Sequence, residues 1–200
     1  MKPQGRLFVI AAPSGAGKTT LRDYLLRTHP RLYFSVSATT RKPRAGEVIH
    51  KDYHFVTPEQ YQDLLARDEF LEHAEVFGNY YGTLRAPVAE QLAAGNDVLL
   101  DVDTKGAKQV KERMPEAVLI FILPPSMAEL ERRLRQRGTD SEAVIQRRLR
   151  EANHEMSQRH FFDYMLVNDN LAQAQRALDA ILYPQANAHA PQPVSLAHHA

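Results

Sequence analysis

Apolar residues along this chain follow two rhythms. Short continuous runs, Leu7–Ala11, residues 98–100 and Val118–Leu123, have the length and make-up of strands buried on both faces. Between them, apolar positions recur at helical spacing; Leu21, Leu25 and Tyr24 mark the inner face of a helix from about Lys18 to Arg27. A short strand is predicted at 32–36. Thr57, Pro58 and Gln60 supply the cap, first-turn proline and third-position glutamine of a helix to about Ala66. Further helices are predicted at about 86–94, stopped by Gly95, and at 105–113, with a strand at 97–103 that ends in acid. After Pro124-Pro125, a Ser126/Glu129 capping box opens a helix to Arg137. A turn at 138–140, a long helix over 141–158, a strand Tyr164–Val167 and a helix Leu171–Leu182 complete the pattern.

Strands alternating with helices imply an α/β fold with a parallel sheet flanked by helices. From 37 to about 87 the text changes to polar residues, Tyr and Gly, with short apolar runs at 54–56 and 70–77. That stretch reads as a small mobile lobe of short strands and one helix. Ligands of parallel sheets bind beyond the carboxyl ends of the strands. The residues after Ala11, the end of the 97–103 strand and Asn168 are expected to gather there.

The segment after the first strand carries chemistry. Ala12-Pro13-Ser14-Gly15-Ala16-Gly17-Lys18-Thr19-Thr20 matches the P-loop pattern G-x-x-x-x-G-K-[ST], with Ala12 in place of the first glycine. Such a loop turns its N–H groups inward onto phosphate oxygens and points a helix N-terminus at them. Lys18 can reach the outer phosphates, and the Thr19 hydroxyl can ligate Mg²⁺. Only glycine takes positive φ cheaply, so residue 12 is expected to keep an ordinary φ. The layout is that of a P-loop NTPase.

Composition adds mostly exclusions. The 200 residues fit one domain, with room for lobes or a lid. With 25 basic against 24 acidic residues, no global field draws in nucleic acid. The absence of cysteine suits a reducing cytoplasm. Residues 1–5 lack a signal-peptide layout and no run reaches membrane-spanning length, so no membrane partner is expected. Residues 184–200 have no Asp, Glu, Lys or Arg; with His189, His198 and His199 they read as a disordered tail rather than a metal site.

Three constellations accompany the loop. Asp101 and Asp103 end an apolar strand, the layout of a Walker B acid that holds Mg²⁺ directly or through water. Period two sets both on one face. Arg133 and Arg137 lie four apart on one helix, and Arg147, Arg148 and Arg150 begin another set beyond Gly138. Two such helices make a lid over phosphates, or a solvated face with Glu129–Arg133 and Glu131–Arg135 pairs. In the lobe, Ser37, Arg41, Arg44, Tyr53, Glu72, Tyr81 and Thr83 suit a nucleoside monophosphate. The arginines and tyrosines can surround a phosphate, and a glutamate can accept from guanine N1–H and its amine. Each alone also reads as a polar surface group, and spacing does not assemble them.

Residues 35–44, Gly46-Glu47, 51–55, 70–74 and 78–83, extended by 122–126 and Val167-Asn168-Asp169, resemble the guanylate kinase family over about residues 5 to 183. The family also carries alanine at the first loop position. Thr104-Lys105 stands where it commonly has Trp-Gln. The resemblance implies ATP + GMP ⇌ ADP + GDP with Mg²⁺, in purine nucleotide metabolism and GMP recycling, with dGMP a further candidate acceptor. It implies a core (5–36, 86–125, 159–183), a GMP-binding lobe (37–85) and a lid (126–158). It makes Arg41, Arg44, Tyr53 and Tyr81 ligands of the GMP phosphate, and Ser37, Glu72, Thr83 and Asp103 contacts of guanine. Lys18, Arg133, Arg137 and Arg148 become the catalytic phosphate-stabilising groups. Residues 12–20 and Asn168 bind ATP, Asn168 at the adenine, and Thr19 and Asp101 serve the metal. Nothing in the sequence chooses between a monomer and a homo-oligomer. A scaffolding module of the same family is disfavoured by the intact Gly15, Gly17, Lys18 and Thr19, and a sugar-phosphate kinase by Glu72 and Thr83.

Overall fold

Strand β1 (Leu7–Ala11) is buried at every position, as a continuous apolar run requires. In the computed structural model, residues 4–184 are described except Phe77, Arg137 and Thr139. The expected tail beyond Pro184 lies outside the described residues. The elements after β1 are α1 (Lys18–Thr28), β2 (Tyr33–Phe34), β3 (Ala38–Thr39), β4 (His54–Phe55), α2 (Pro58–Ala66), β5 (Phe70–Val76) and β6 (Asn79–Leu84). There follow α3 (Arg85–Ala93), β7 (Val98–Asp101), α4 (Thr104–Arg113), β8 (Val118–Leu123), α5 (Met127–Gln136), α6 (Glu142–Ser157), a 3₁₀ turn (Arg159–Phe161), β9 (Tyr164–Val167) and α7 (Leu171–Leu182). They form two compact units, one of residues through Phe8 with Arg31–Ala117, the other of Val9–Pro30 with residues from Val118 on.

In the first unit β2 runs parallel to β7, with Tyr33 opposite Val98 and Phe34 opposite Leu99. The same unit holds a four-stranded sheet of order β4-β3-β6-β5, so the polar stretch after residue 37 is more regular than its sequence suggests. Its core is Ala38, Tyr61 and Phe70, joined by Val56, Leu64, Leu65, Tyr80 and Leu84. Tyr61 comes from α2, which starts as the sequence predicts. Thr57 Oγ1 accepts from the Gln60 amide at 3.2 Å, and Gln60 Oε1 accepts from the Thr57 amide at 2.8 Å. The Tyr61 ring lies 4.7 Å from Phe70 and 5.2 Å from Tyr80, and its hydroxyl donates to the Tyr81 carbonyl at 2.9 Å. Burial pushes that hydroxyl up to about 12. Burying each such ring contributes about 2–3 kcal/mol, which helps hold α2 against the sheet.

Two predictions change here. The strand at 32–36 shrinks to Tyr33–Phe34. The strand at 97–103 stops at Asp101, because Asp103 leaves it to cap α4, its Oδ1 accepting from the Gly106 amide at 2.7 Å. Asp101 and Asp103 therefore do not share a strand face. Helix α4 packs on β5. The Gln109 side chain sits there like a strand partner, donating to the His73 carbonyl at 2.9 Å and accepting from its amide at 3.1 Å.

In the second unit β8 and β9 pair in parallel, from Ile120 opposite Tyr164 to Leu123 opposite Val167. Helix α7 packs on β9 and on α1. Tyr24 donates to Asp179 Oδ2 at 2.5 Å, so the inner-face tyrosine is also a polar tie to α7. Helices α5 and α6 close over Leu130, Leu134, Ile145 and Ala152, with Met127 and Leu149 beside them. Ser126 Oγ accepts from the Glu129 amide at 3.1 Å, one half of the predicted box. The Glu129 carboxylate holds Arg132 and Arg133.

Candidate active site

The phosphate loop leaves β1 with Ala12 and Pro13 still buried, then turns. The Ala16 amide donates to the Pro13 carbonyl at 3.0 Å, and Gly15 and Gly17 take φ values of 97° and 94°. Among the described non-glycine residues positive φ occurs only at His50 and Asp68, so Ala12 keeps the ordinary φ expected of it. Gly17 is the N-cap of α1, which places Lys18 first in the helix and Thr19 and Thr20 on its exposed first turn. Side chains are excluded from the loop by close packing. A Cβ on Gly15 would meet Leu130 Cδ1 at 2.9 Å, and one on Gly17 would meet Asn168 Nδ2 at 2.3 Å. Asn168, 6% exposed, donates that amide to the Ala16 carbonyl at 2.8 Å. Its side-chain nitrogen therefore braces the loop.

The arginines divide into two groups. Arg133 donates from Nε to Glu129 at 2.8 Å and from Nη2 to the Asn168 carbonyl at 3.1 Å. Arg148 donates to Ser14 Oγ at 2.9 Å, and its Nε lies 3.4 Å from Asp140 Oδ2. Of the three arginines expected to stabilise phosphate, the two that are described, Arg133 and Arg148, thus reach the loop or the residue bracing it, whereas Arg147 of the same lid set lies 3.7 Å from Glu151. Arg137 lies outside the described residues. Both expected solvated-face pairs, Glu129–Arg133 and Glu131–Arg135, are also present, with Arg132 added on Glu129 and Glu142 on Arg135. Hydrogen bonds from Arg132, then Arg133, hold the Glu129 carboxyl down to about 2.

In the other unit the lobe residues fall into two groups. Arg41 lies over the Tyr53 ring, 5.2 Å from its centroid, and donates to Glu47 Oε1 at 2.7 Å. Glu47 Oε2 also accepts from the Arg44 amide at 2.8 Å. The Glu47 hydrogen bond raises the Arg41 guanidinium above its ordinary value, against the effect of burial. Tyr53 and Tyr81 meet edge to face at 6.0 Å, and burial raises the Tyr53 hydroxyl. Arg41, Tyr53 and Tyr81 thus lie together. The Arg44 side chain is exposed, and Ser37 is half-buried, its carbonyl accepting from the His54 amide at 2.9 Å.

The second group is buried. Glu72 on β5 lies opposite Thr83 on β6 in register, and Thr83 Oγ1 donates to Glu72 Oε1 at 2.6 Å. Glu72 is 5% and Thr83 1% exposed. The Asp103 cap reaches the same place through Gly106, whose missing Cβ would lie 2.8 Å from Glu72 Oε2 and 3.4 Å from Asp103 Oδ1. A buried carboxylate beside a second acid suits an uncharged ligand edge that offers adjacent donors. Half-buried Asp101 ends β7, and its charge helps raise Tyr53.

Comparison with known proteins decides the family. A guanylate kinase family model matches residues 4–185. The chain belongs to the guanylate kinase family. It is 52% identical over 181 residues to the guanylate kinase of Synechococcus sp. (strain JA-3-3Ab), covering 90% of this chain and 83% of the relative. Its identity to the guanylate kinase of Escherichia coli (strain K12) is 52% over 182 residues, covering 90% and 87%. A crystal structure of guanylate kinase from Anaplasma phagocytophilum superposes with a TM-score of 0.72 at 35% identity, covering 98% of this chain and 93% of that one. A gluconokinase from Sinorhizobium meliloti, at 16% identity and a TM-score of 0.50, shares the fold alone. This guanylate kinase family member is thus a kinase of a family that phosphorylates GMP with ATP, built on a P-loop NTPase-type α/β fold.

Sequence reasoning assigned no role to Glu47, Gln109, Gly106 or Asp140. Glu47 had a local signal, the turn closed by its own amide on the Arg44 carbonyl at 3.1 Å. Gln109 and Gly106 act on β5 from α4, more than 30 residues away, and had none.

Proposed function

We propose that the protein transfers the γ-phosphoryl group of ATP to GMP through the two groups of residues described above. The Glu72 carboxylate, buried and hydrogen-bonded by Thr83, carries the reading. Guanine offers N1–H and its amine side by side, which one carboxylate accepts together; adenine would set a lone pair against it. Arg41, Arg44, Tyr53 and Tyr81 hold the GMP phosphate, with Ser37 and Asp103 completing the contacts to the base. Residues 12–20 hold the ATP phosphates, and Asn168 serves the adenine side as well as bracing the loop.

In the transfer a GMP phosphate oxygen forms a bond to the γ-phosphorus, and the bond from that phosphorus to the β–γ bridging oxygen breaks. The acceptor is already anionic at neutral pH, so no general base is required. Rate enhancement comes from alignment and from Lys18, Arg133, Arg137 and Arg148 meeting charge on the equatorial and leaving oxygens. The Thr19 hydroxyl and the Asp101 carboxylate are hard oxygen donors suited to Mg²⁺, which on the nucleotide would offset phosphate charge. The arginine-bearing segment 126–158 acts as the lid that keeps water from the γ-phosphate. The lobe is 37–85 and the core is the remainder to 183.

No helix among the described residues is long and apolar enough to cross a membrane. We place the enzyme in the cytoplasm, recycling GMP in purine nucleotide metabolism. The test is a coupled assay with ATP and GMP, dGMP, AMP, CMP, UMP or ribose bisphosphate. GMP should exceed AMP by about 10⁴-fold in kcat/KM, the selectivity a site built on such bonds can reach. Comparable turnover of AMP, or of the sugar phosphate, refutes the reading.

A further inference from the structure

We infer that Gly106 is a specificity-determining residue, whose missing side chain leaves the space in which the Glu72 carboxylate reads the base. The inference rests on the guanine assignment above. Gly106 is the third residue of α4 and its backbone is helical, so no positive φ calls for glycine. Space does. A Cβ there would lie 2.8 Å from Glu72 Oε2, 3.2 Å from Val102 Cβ and 3.4 Å from Asp103 Oδ1. The first distance is well inside carbon–oxygen contact, so something must move.

The geometry decides what moves. Val102 Cβ is anchored to the main chain in a buried residue, and Asp103 Oδ1 is held by the Gly106 amide at 2.7 Å. Glu72 Oε2 is the far end of a long side chain. Its other oxygen, Oε1, is pinned by Thr83 at 2.6 Å, so the carboxylate yields by pivoting about Oε1. That displaces Oε2 from its setting beside Asp103 and turns the carboxylate away from the orientation in which it would read the base. The fold loses little, because alanine is a better helix former than glycine. The damage falls on recognition.

The experiment compares Gly106→Ala, Glu72→Gln and the double variant with the unaltered chain, by steady-state kinetics and thermal melting. Gly106→Ala should lower kcat/KM for GMP about 10- to 100-fold, what losing one charge-assisted hydrogen bond gives. The loss should sit in KM for GMP, with KM for ATP and Tm held. The double variant should be no worse than Glu72→Gln alone, because the first change acts through the second residue. Wild-type GMP kinetics in Gly106→Ala beside a clear loss in Glu72→Gln overturns the inference and leaves the guanine assignment standing. A marked fall in Tm, or additive losses in the double variant, overturns it too, since the added methyl would then strain the fold rather than the carboxylate. An unchanged GMP-to-AMP ratio in Glu72→Gln overturns the assignment and the inference with it.

Discussion

Asn168→Asp tests whether the buried amide braces the phosphate loop. Asn168 Nδ2 faces the Ala16 carbonyl oxygen at 2.8 Å, in a residue 6% exposed. Only a donor can face that oxygen. The substitution keeps size and shape, so no cavity term enters; it removes the donor and sets a carboxylate oxygen in its place. Losing the bond and leaving a buried carbonyl unmatched costs about 1–3 kcal/mol. A buried charge would cost more, so the new carboxyl binds a proton instead, at about 1.4 kcal/mol for each unit its pKa rises. Arg133 works the other way, with Nη2 3.1 Å from the Asn168 carbonyl. It is already paired with Glu129 Oε1 at 2.8 Å, so its pull on a second carboxylate is weak. The net loss at neutral pH is about 2–4 kcal/mol, which for a domain of this size lowers Tm by roughly 5–15 °C. A protonated carboxyl can donate to the Ala16 carbonyl. The new group's folded pKa is raised, so its favourable contribution is full at low pH and lost as pH rises through that value. The deficit relative to the unaltered chain should therefore shrink as pH is lowered from about 8 to about 5. Thermal melts across that range, with initial rates at varied ATP and saturating GMP, are the assay. Wild-type Tm and KM for ATP at neutral pH, or a deficit that does not change with pH, would refute the bracing argument.

Two further outcomes follow from the same unit. Lys18→Ala should lower kcat by at least ~10²-fold without changing Tm, because one preorganised charge on the transferring group is worth that much; near-normal turnover in a folded variant removes Lys18 from the chemistry. Glu129 has a folded pKa of about 2 against an ordinary 4.5, through hydrogen bonds from Arg132 and then Arg133. A depressed carboxyl stabilises the fold above its ordinary value and loses that contribution as pH falls through the folded one. The Tm gap between the unaltered chain and Glu129→Gln should thus be present at neutral pH and close between 4.5 and about 2; a gap constant with pH means the pairs do not stabilise α5.

Local signals in the sequence determined a large part of this protein. The Thr57-Pro58-x-Gln60 cap, the buried runs at β1 and β8, and the Gly-Lys-Thr loop each act through neighbours within a few residues, and each formed where its pattern placed it. Asp103 shows where such reading fails. Strand period and helix capping compete for the same residue, and the cap prevails because α4 needs an acceptor for its first amides. Arg133 makes the Glu129 pair that its spacing suggested, and its Nη2 donates to the Asn168 carbonyl, a partner that spacing did not suggest. Tertiary structure alone decided which polar residues meet. Glu72 reaches Thr83 through a strand register, and Gly106 and Gln109 reach β5 from a helix packed against it. Arg148 reaches Ser14 across 134 residues of chain. Caps and periodicity are short-range effects that a sequence carries in plain order. Contacts between distant residues exist only after loop closure has been offset by burial elsewhere, so their partners are chosen by packing rather than by spacing.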